Sequence, residues 1–310
     1  MKTIYLSHPH FIEGSKPSVM ALGYFDGIHR GHQKVISTAK KIADEKGVAS
    51  SVMTFYPHPS VVLGKSSPQV EAITPLDEKI NLIDEMGIDV LYIVKFDTTI
   101  AGLTPQQFVD DYIINLSVVH VVAGFDFTYG SKGRGTMDSM PFHARDKFDQ
   151  TVVEKVSKDD EKVSSTLIRS YIREGAVENV EEILGRRYVV TGTVIKGDQR
   201  GRTIGFPTAN IEMDKEYLVP ATGVYAVRLK TGGEWRNGVC NIGYKPTFYD
   251  EAPDKPSLEV HVFDFEENVY GKEVEVEFHK KIRGEVKFSS VDDLIEQIGK
   301  DADEARRILE

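Results

Sequence analysis

His29 and His32 stand three residues apart in Gly23-Tyr24-Phe25-Asp26-Gly27-Ile28-His29-Arg30-Gly31-His32, between a short apolar run and a helix-like stretch. Residues three apart share a helix face, and the first turn of a helix offers free N–H groups and a positive dipole end. The spacing therefore offers two imidazole donors, with Gly23, Phe25, Asp26 and the Cβ-less Gly31, to a polyphosphate. Such donors suit the charge that grows on a leaving pyrophosphate when the α-phosphorus is attacked. A metal reading is weaker, because no third ligand is nearby in sequence. In Ser164-Ser165-Thr166-Leu167-Ile168-Arg169 the hydroxyls and Arg169 suit phosphates, although two serines are also a good helix cap. Gly124-Phe125-Asp126-Phe127-Thr128-Tyr129-Gly130 reads as a strand end with core aromatics or as a wall that stacks on a ring. Pro57-His58-Pro59 reads first as a rigid turn.

The second half carries Gly197-Asp198-Gln199-Arg200-Gly201-Arg202-Thr203-Ile204-Gly205-Phe206-Pro207-Thr208-Ala209-Asn210. Its glycines and arginines make either a connecting loop or a cationic loop over phosphates. The Walker spacing is missing. Thr208 and Asn210 alternate, so in extended chain they face one way. A hydroxyl and an amide oxygen suit Mg²⁺ held mainly by nucleotide phosphates. Glu259 lies opposite Leu258 and Val260 in an alternating strand. It reads as a solvated glutamate or as a base that accepts a hydroxyl proton in phosphoryl transfer.

The elements that must position these groups fall into two patterns. Strand-like runs at Val19–Phe25, Val48–Tyr56, Asp89–Phe96 and Ser117–Phe125 alternate with helices at Gly31–Lys46, from Thr74-Pro75 to Gly87, and from Thr104-Pro105 to about Leu116. Thr74 and Thr104 read as helix caps. This alternation predicts a doubly wound α/β sheet, with ligands at the carboxyl ends of its strands. A strand at Thr151–Val156 and helices at Ser165–Glu174 and Ala176–Leu184 follow. After Gly185 the period becomes two: Tyr188–Lys196, Gly223–Lys230, Trp235–Ile242, Ser257–Phe265 and Glu273–His279 predict an antiparallel barrel or sandwich. Ser290–Glu310 reads as a closing helix. The expected domains are 1–185 and 186–310.

Bulk properties narrow the function classes. The chain has 310 residues, 40% hydrophobic and 28% charged, with a net charge of −10. Residues 1–185 hold 19 basic and 25 acidic groups, and 186–310 hold 19 and 23. Neither half is basic, which argues against binding along nucleic acid. Cys240 is the only cysteine, so no internal disulfide or multi-cysteine metal site forms, and a free thiol fits a reducing compartment. No apolar run reaches roughly 18 residues. These features lead to the expectation of a cytoplasmic protein acting on small molecules, with no membrane or nucleic-acid partner; self-association is not readable.

The motifs of the first half together resemble the FMN adenylyltransferase module of prokaryotic bifunctional FAD synthetases, of the Rossmann-like nucleotidyltransferase superclass. The resemblance implies that this half joins AMP from ATP to FMN. It places His29, His32, Ser164, Ser165 and Arg169 on ATP phosphates, and His58, Asp126, Phe127 and Tyr129 around the flavin substrate. Gly-Arg-Thr-Ile-Gly-Phe-Pro-Thr-Ala-Asn, Gly223-Val224-Tyr225, Asn241-Ile242-Gly243-Tyr244-Lys245-Pro246-Thr247-Phe248 and Ser257-Leu258-Glu259-Val260-His261 resemble riboflavin kinase. That resemblance implies a six-stranded barrel, ATP and Mg²⁺ at Thr208 and Asn210, Glu259 as catalytic base, and Arg283 and Lys287 near flavin. Riboflavin, FMN and FAD would be substrates and products. The rival readings are an enzyme keeping one activity and a flavin- or nucleotide-binding regulator without turnover.

Overall fold

The computed structural model describes residues 1–10, 14–64, 71–158, 161–197, 200–213, 216–244 and 256–310. Of the motif residues above, Asp198, Gln199 and Lys245–Phe248 lie outside the described residues. The chain divides into two compact units, Met1–Ser165 and Thr166–Glu310.

The first unit is built on β1 (Lys2–Leu6), β2 (Ser18–Leu22), β3 (Ala49–Tyr56), β4 (Val90–Lys95), β5 (Val118–Gly124) and β6 (Asp149–Val153). Their spatial order is β1-β4-β3-β2-β5-β6, and every pair is parallel. A parallel sheet buries both faces, and β2 is buried at all five positions. Met20 and Leu22 pack with Phe55, Phe108 and Tyr112 on one face. Val19 and Ala21 pack on the other with Val35, Ile36 and Ala39 of helix α1 (Arg30–Lys46). From β2 the chain runs to β3 and β4 on one side, then crosses to β5 on the other. The strand order thus reverses between β2 and β5, where ligands of such sheets bind.

Two local expectations change. Helix α2 (Leu76–Glu85) starts one residue late: Pro75 holds the cap position without a side-chain bond, and the Thr74 N–H donates to Asp26 instead. Thr104 does cap its helix, with Gln107 completing a capping box. That helix, however, ends at Val109 and continues as a π-helical turn, Asp110–Ile114, closed by Asn115 N–H to the Asp110 carbonyl at 2.9 Å. A period of 3.6 and one wider turn are hard to tell apart in so short a sequence.

The second unit holds most of α3 (Ser165–Glu174), then α4 (Val177–Leu184) and a closed barrel of β7 (Tyr188–Ile195), β8 (Ala209–Glu212), β9 (Gly223–Thr231), β10 (Glu234–Tyr244), β11 (Pro256–Val262) and β12 (Glu273–Arg283). The antiparallel order is β7-β8-β11-β10-β9-β12, with β12 returning to β7. Leu258, Val260 and Val262 point inward, so Glu259 and His261 face out. Helix α5 (Val291–Leu309), capped by Ser290, lays Ala302, Ala305 and Leu309 against Val224, Val239 and Phe263. No helix of the described residues is long and apolar enough to cross a membrane.

Candidate active sites

The β2–α1 turn is a strained loop held from several sides. Phe25 and Ile28 have φ of 56° and 41°, values that non-glycine residues rarely adopt and that gather at functional sites. Both side chains are buried, which holds the turn. A Cβ on Gly23 would meet the Phe25 ring at 2.7 Å. Asp26, 4% exposed, accepts from the N–H groups of Ile73 and Thr74 through Oδ1 at 3.1 and 3.2 Å. Its carboxylate therefore anchors the approach to α2. The Asp26 carbonyl accepts from Ser165 Oγ at 2.8 Å, which brings the serine motif to this turn. Arg169 lies in the second unit.

His29 is the N-cap of α1 rather than a member of its first turn. Its Nδ1 accepts from the His32 N–H at 3.2 Å, and the two rings stack with centroids 3.6 Å apart. The ring lies over Gly31, where a Cβ would sit 3.1 Å from it. A side chain there would press on the histidine ring that covers it. A neutral His29 that accepts at Nδ1 carries its proton on Nε2. Burial first, then His29 and Lys79, hold His32 well below its ordinary value, so its imidazole is neutral at pH 7.

On the neighbouring strand, Leu22 pairs with Ala123, so the Gly124–Asp126 segment ends beside this turn. Phe125 and Asp126 are exposed and Phe127 is partly buried. Tyr129 is 4% exposed, packs on Phe108 and bonds His143 Nδ1 at 2.8 Å. Its ring packs within the core, behind the partly buried Phe127. His58 caps the short helix Pro59–Val62 through Ser60 N–H, and its ring meets Tyr24 edge-on at 4.2 Å. Sequence reasoning gave no role to Tyr24 or Lys79. A lysine one turn into a helix reads as a solvated charge unless its neighbours are known.

In the barrel, β8 pairs with β11 so that Asn210 stands opposite Glu259, and β10 places Asn241 opposite Glu259 on its other side. Opposed residues share a face, so a row of amide, carboxylate and amide crosses three strands. Asn210 is 7% exposed, and a Cβ on Gly197 would meet its side chain at 2.4 Å. The missing Cβ is the space the amide fills. The loop before β8 is folded by Phe206 N–H to the Gly201 carbonyl at 2.8 Å, and His261 Nδ1 holds the Pro207 carbonyl at 2.8 Å. Gly205 has φ +87°, and Arg202 is exposed. The Arg283 guanidinium, expected near flavin, grips Asp301 of α5 at 2.7–3.0 Å, two-pronged, and so fastens the closing helix. Lys287 is exposed beyond it.

The model of the FAD synthetase family matches residues 12–167, and that of the riboflavin kinase family matches residues 184–309. The chain belongs to the bifunctional riboflavin kinase/FMN adenylyltransferase family. It is 55% identical to the Bacillus subtilis (strain 168) member over 99% of this chain and 98% of that one. It is 34% identical to the Escherichia coli (strain K12) member over 94% and 92%. A solved structure named as a macrolide-efflux protein from Streptococcus pneumoniae superposes with a TM-score of 0.91 at 34% identity, covering 99% of both chains. A bifunctional riboflavin kinase/FMN adenylyltransferase makes FMN from riboflavin and FAD from FMN, each step using ATP. Its nucleotidyltransferase-like sheet and kinase barrel are the two units described above.

Proposed function

We propose that adenylyl transfer takes place on the β2–α1 turn and riboflavin phosphorylation on the Thr208–Asn210–Glu259 face of the barrel, with residues 1–185 and 186–310 serving the two reactions. The observation that most supports the first assignment is the stacked His29–His32 pair at the sheet's switch point. His29 Nδ1 accepts in the cap, and a neutral ring then carries its proton on Nε2, the nitrogen we assign to phosphate. In that reaction an FMN phosphate oxygen attacks the α-phosphorus of ATP. The bond to the β-phosphate oxygen breaks and pyrophosphate leaves. His29, His32 and the positive dipole end of α1 stabilise the departing charge, while Ser164, Ser165 and Arg169 hold phosphates. Asp126, Phe125, Phe127 and His58 position the flavin. Asp26 and the buried Tyr129 shape the turn and its support.

In the barrel, Glu259 takes the proton of the riboflavin 5′-hydroxyl as that oxygen attacks the γ-phosphorus, and ADP leaves. Gly197, Arg202, Gly205 and Pro207 form the loop over the phosphates, and Lys287 lies at the flavin end. The Thr208 hydroxyl and the Asn210 amide in its Gly197 cradle are hard oxygen donors that fit Mg²⁺. When bound, Mg²⁺ would neutralise phosphate charge. The acidic balance of both halves and the free Cys240 support a cytoplasmic enzyme of small-molecule substrates. The test supplies riboflavin, ATP and Mg²⁺ to the full chain and follows FMN and FAD by chromatography. Formation of one product alone would favour a single retained activity, and neither would favour a binding protein.

A further inference from the structure

Helix α2 carries a lysine inside the protein. Lys79 is 3% exposed; its Nζ donates to the Tyr24 carbonyl at 2.8 Å and lies 4.2 Å from the Tyr24 ring centroid. Thr54 Oγ1 donates to the same carbonyl at 2.8 Å, so the turn is held from β3 and from α2 together. The Tyr24 ring leans on His58. Asp26, two residues on, bonds the N–H groups just ahead of α2 and so fixes where Lys79 emerges. A buried ammonium is costly, and an apolar chain of equal length would fill the same space. The groups facing it are Tyr24 and Asp26 from the turn, Thr54 from β3 and His32 from α1, with Asp77 and Glu78 preceding it on α2.

We propose that Lys79 is a positioning residue for adenylyl transfer: its ammonium fixes Tyr24, and with it the Tyr24–His58 wall, and places a preorganised positive charge behind the His29–His32 pair. The inference rests on the assignment of adenylyl transfer to this turn. A cation already in place needs no reorganisation when negative charge grows on the leaving pyrophosphate. It also helps to keep His32 neutral, since Lys79 is among the groups opposing charge on that ring. Burial lowers Lys79 to about 8, with Asp26 opposing the shift. The ammonium is therefore lost within an accessible pH range.

The test measures kcat and KM for FAD formation from FMN and ATP by the full chain, Lys79→Met and Lys79→Arg, from about pH 6.5 to 9.5. FMN formation from riboflavin in the same preparations controls for intact protein. Wild-type kcat is expected to fall above about pH 8. Lys79→Met is expected to lose about 10- to 100-fold in kcat, as misplaced groups do, and to lack that alkaline fall. Lys79→Arg, which stays charged, is expected to recover part of the rate and hold it at high pH. A wild-type rate in Lys79→Met, or the same alkaline fall in both variants, overturns the inference. Should Lys79→Met fail to fold, Lys79→Arg decides alone: an unchanged alkaline fall overturns it. His32→Ala tests the underlying assignment separately, since full FAD formation there refutes the site whatever Lys79 does.

Discussion

At the scale of single residues, the two reactions rest on different kinds of group, and substitutions separate them. His32→Ala removes a neutral donor from the β2–α1 turn. FAD formation should fall about 10²–10³-fold, the usual effect of removing one preorganised donor, while FMN formation persists. Equal loss of both products would point to damaged folding or a misplaced site. Glu259→Gln keeps the shape and removes the proton acceptor, so FMN formation should fall about 10²–10⁴-fold while FAD still forms from supplied FMN. Near-normal FMN formation at saturating ATP and riboflavin would return Glu259 to the solvated face of its strand. The sequence made these residues legible because their neighbours are small, rigid or capping types at fixed spacing. Lys79 was not legible, and for Tyr129 the sequence left a core place and a ring-stacking place both open. Burial decides both, and burial depends on residues distant along the chain: Lys79 is enclosed by Tyr24 and Thr54, and Tyr129 by Phe108 and His143.

At the scale of elements, helix α5 is held to the barrel by charge as well as by apolar packing. Asp301 is 3% exposed and receives the Arg283 guanidinium and the Gln297 amide. Arg283→Ala leaves a buried carboxylate with one weaker partner. It should destabilise the barrel by about 3 kcal/mol, the scale of breaking a buried pair, as read by urea unfolding. Lys287→Ala, exposed on the following segment, should change stability by no more than about 0.5 kcal/mol. An Arg283→Ala chain of unchanged stability but weakened riboflavin binding would favour the flavin contact inferred from the motif over the helix-fastening role. The alternating period of β7, β9, β10, β11 and β12 was readable because one face of each strand packs inward. Strand β8 was not recognised as a separate strand. Its four residues are too few to show a period, and Asn210 is buried on the outer face by Gly197. The edge strand β1 escaped for a related reason: only Leu6 of its five residues is buried, so its apolar signal is weak.

At the scale of the molecule, the position of α3 and α4 decides how the chain can be cut. The expected boundary after Gly185 follows the change of period from helix to strand. The compact units divide at Ser165, and the family models leave residues 168–183 between them. Within the second unit, α4 buries Val177, Val180, Ile183 and Leu184 and lies along β7 and β12. The Ala221 N–H donates to the Ile172 carbonyl of α3 at 3.2 Å. Gly175, at φ +81°, sits where a Cβ would meet the Tyr225 hydroxyl at 2.5 Å, so the link between the helices is fitted to the barrel wall. A fragment of residues 187–310 keeps every kinase motif but exposes what α4 covers. At about 1.5–3 kcal/mol for each buried aliphatic side chain, that loss is comparable to the whole stability of a small domain. Residues 166–310 should therefore fold and make FMN. Residues 187–310 should unfold at a markedly lower temperature or be recovered as aggregate, with FMN formation per soluble molecule retained. Both fragments are to be compared by thermal unfolding and by FMN formation from riboflavin and ATP. Equal melting temperatures would show that the helix pair contributes nothing to the barrel. An inactive 166–310 fragment beside an active full chain would show that the kinase needs the first unit, against the two-site reading itself.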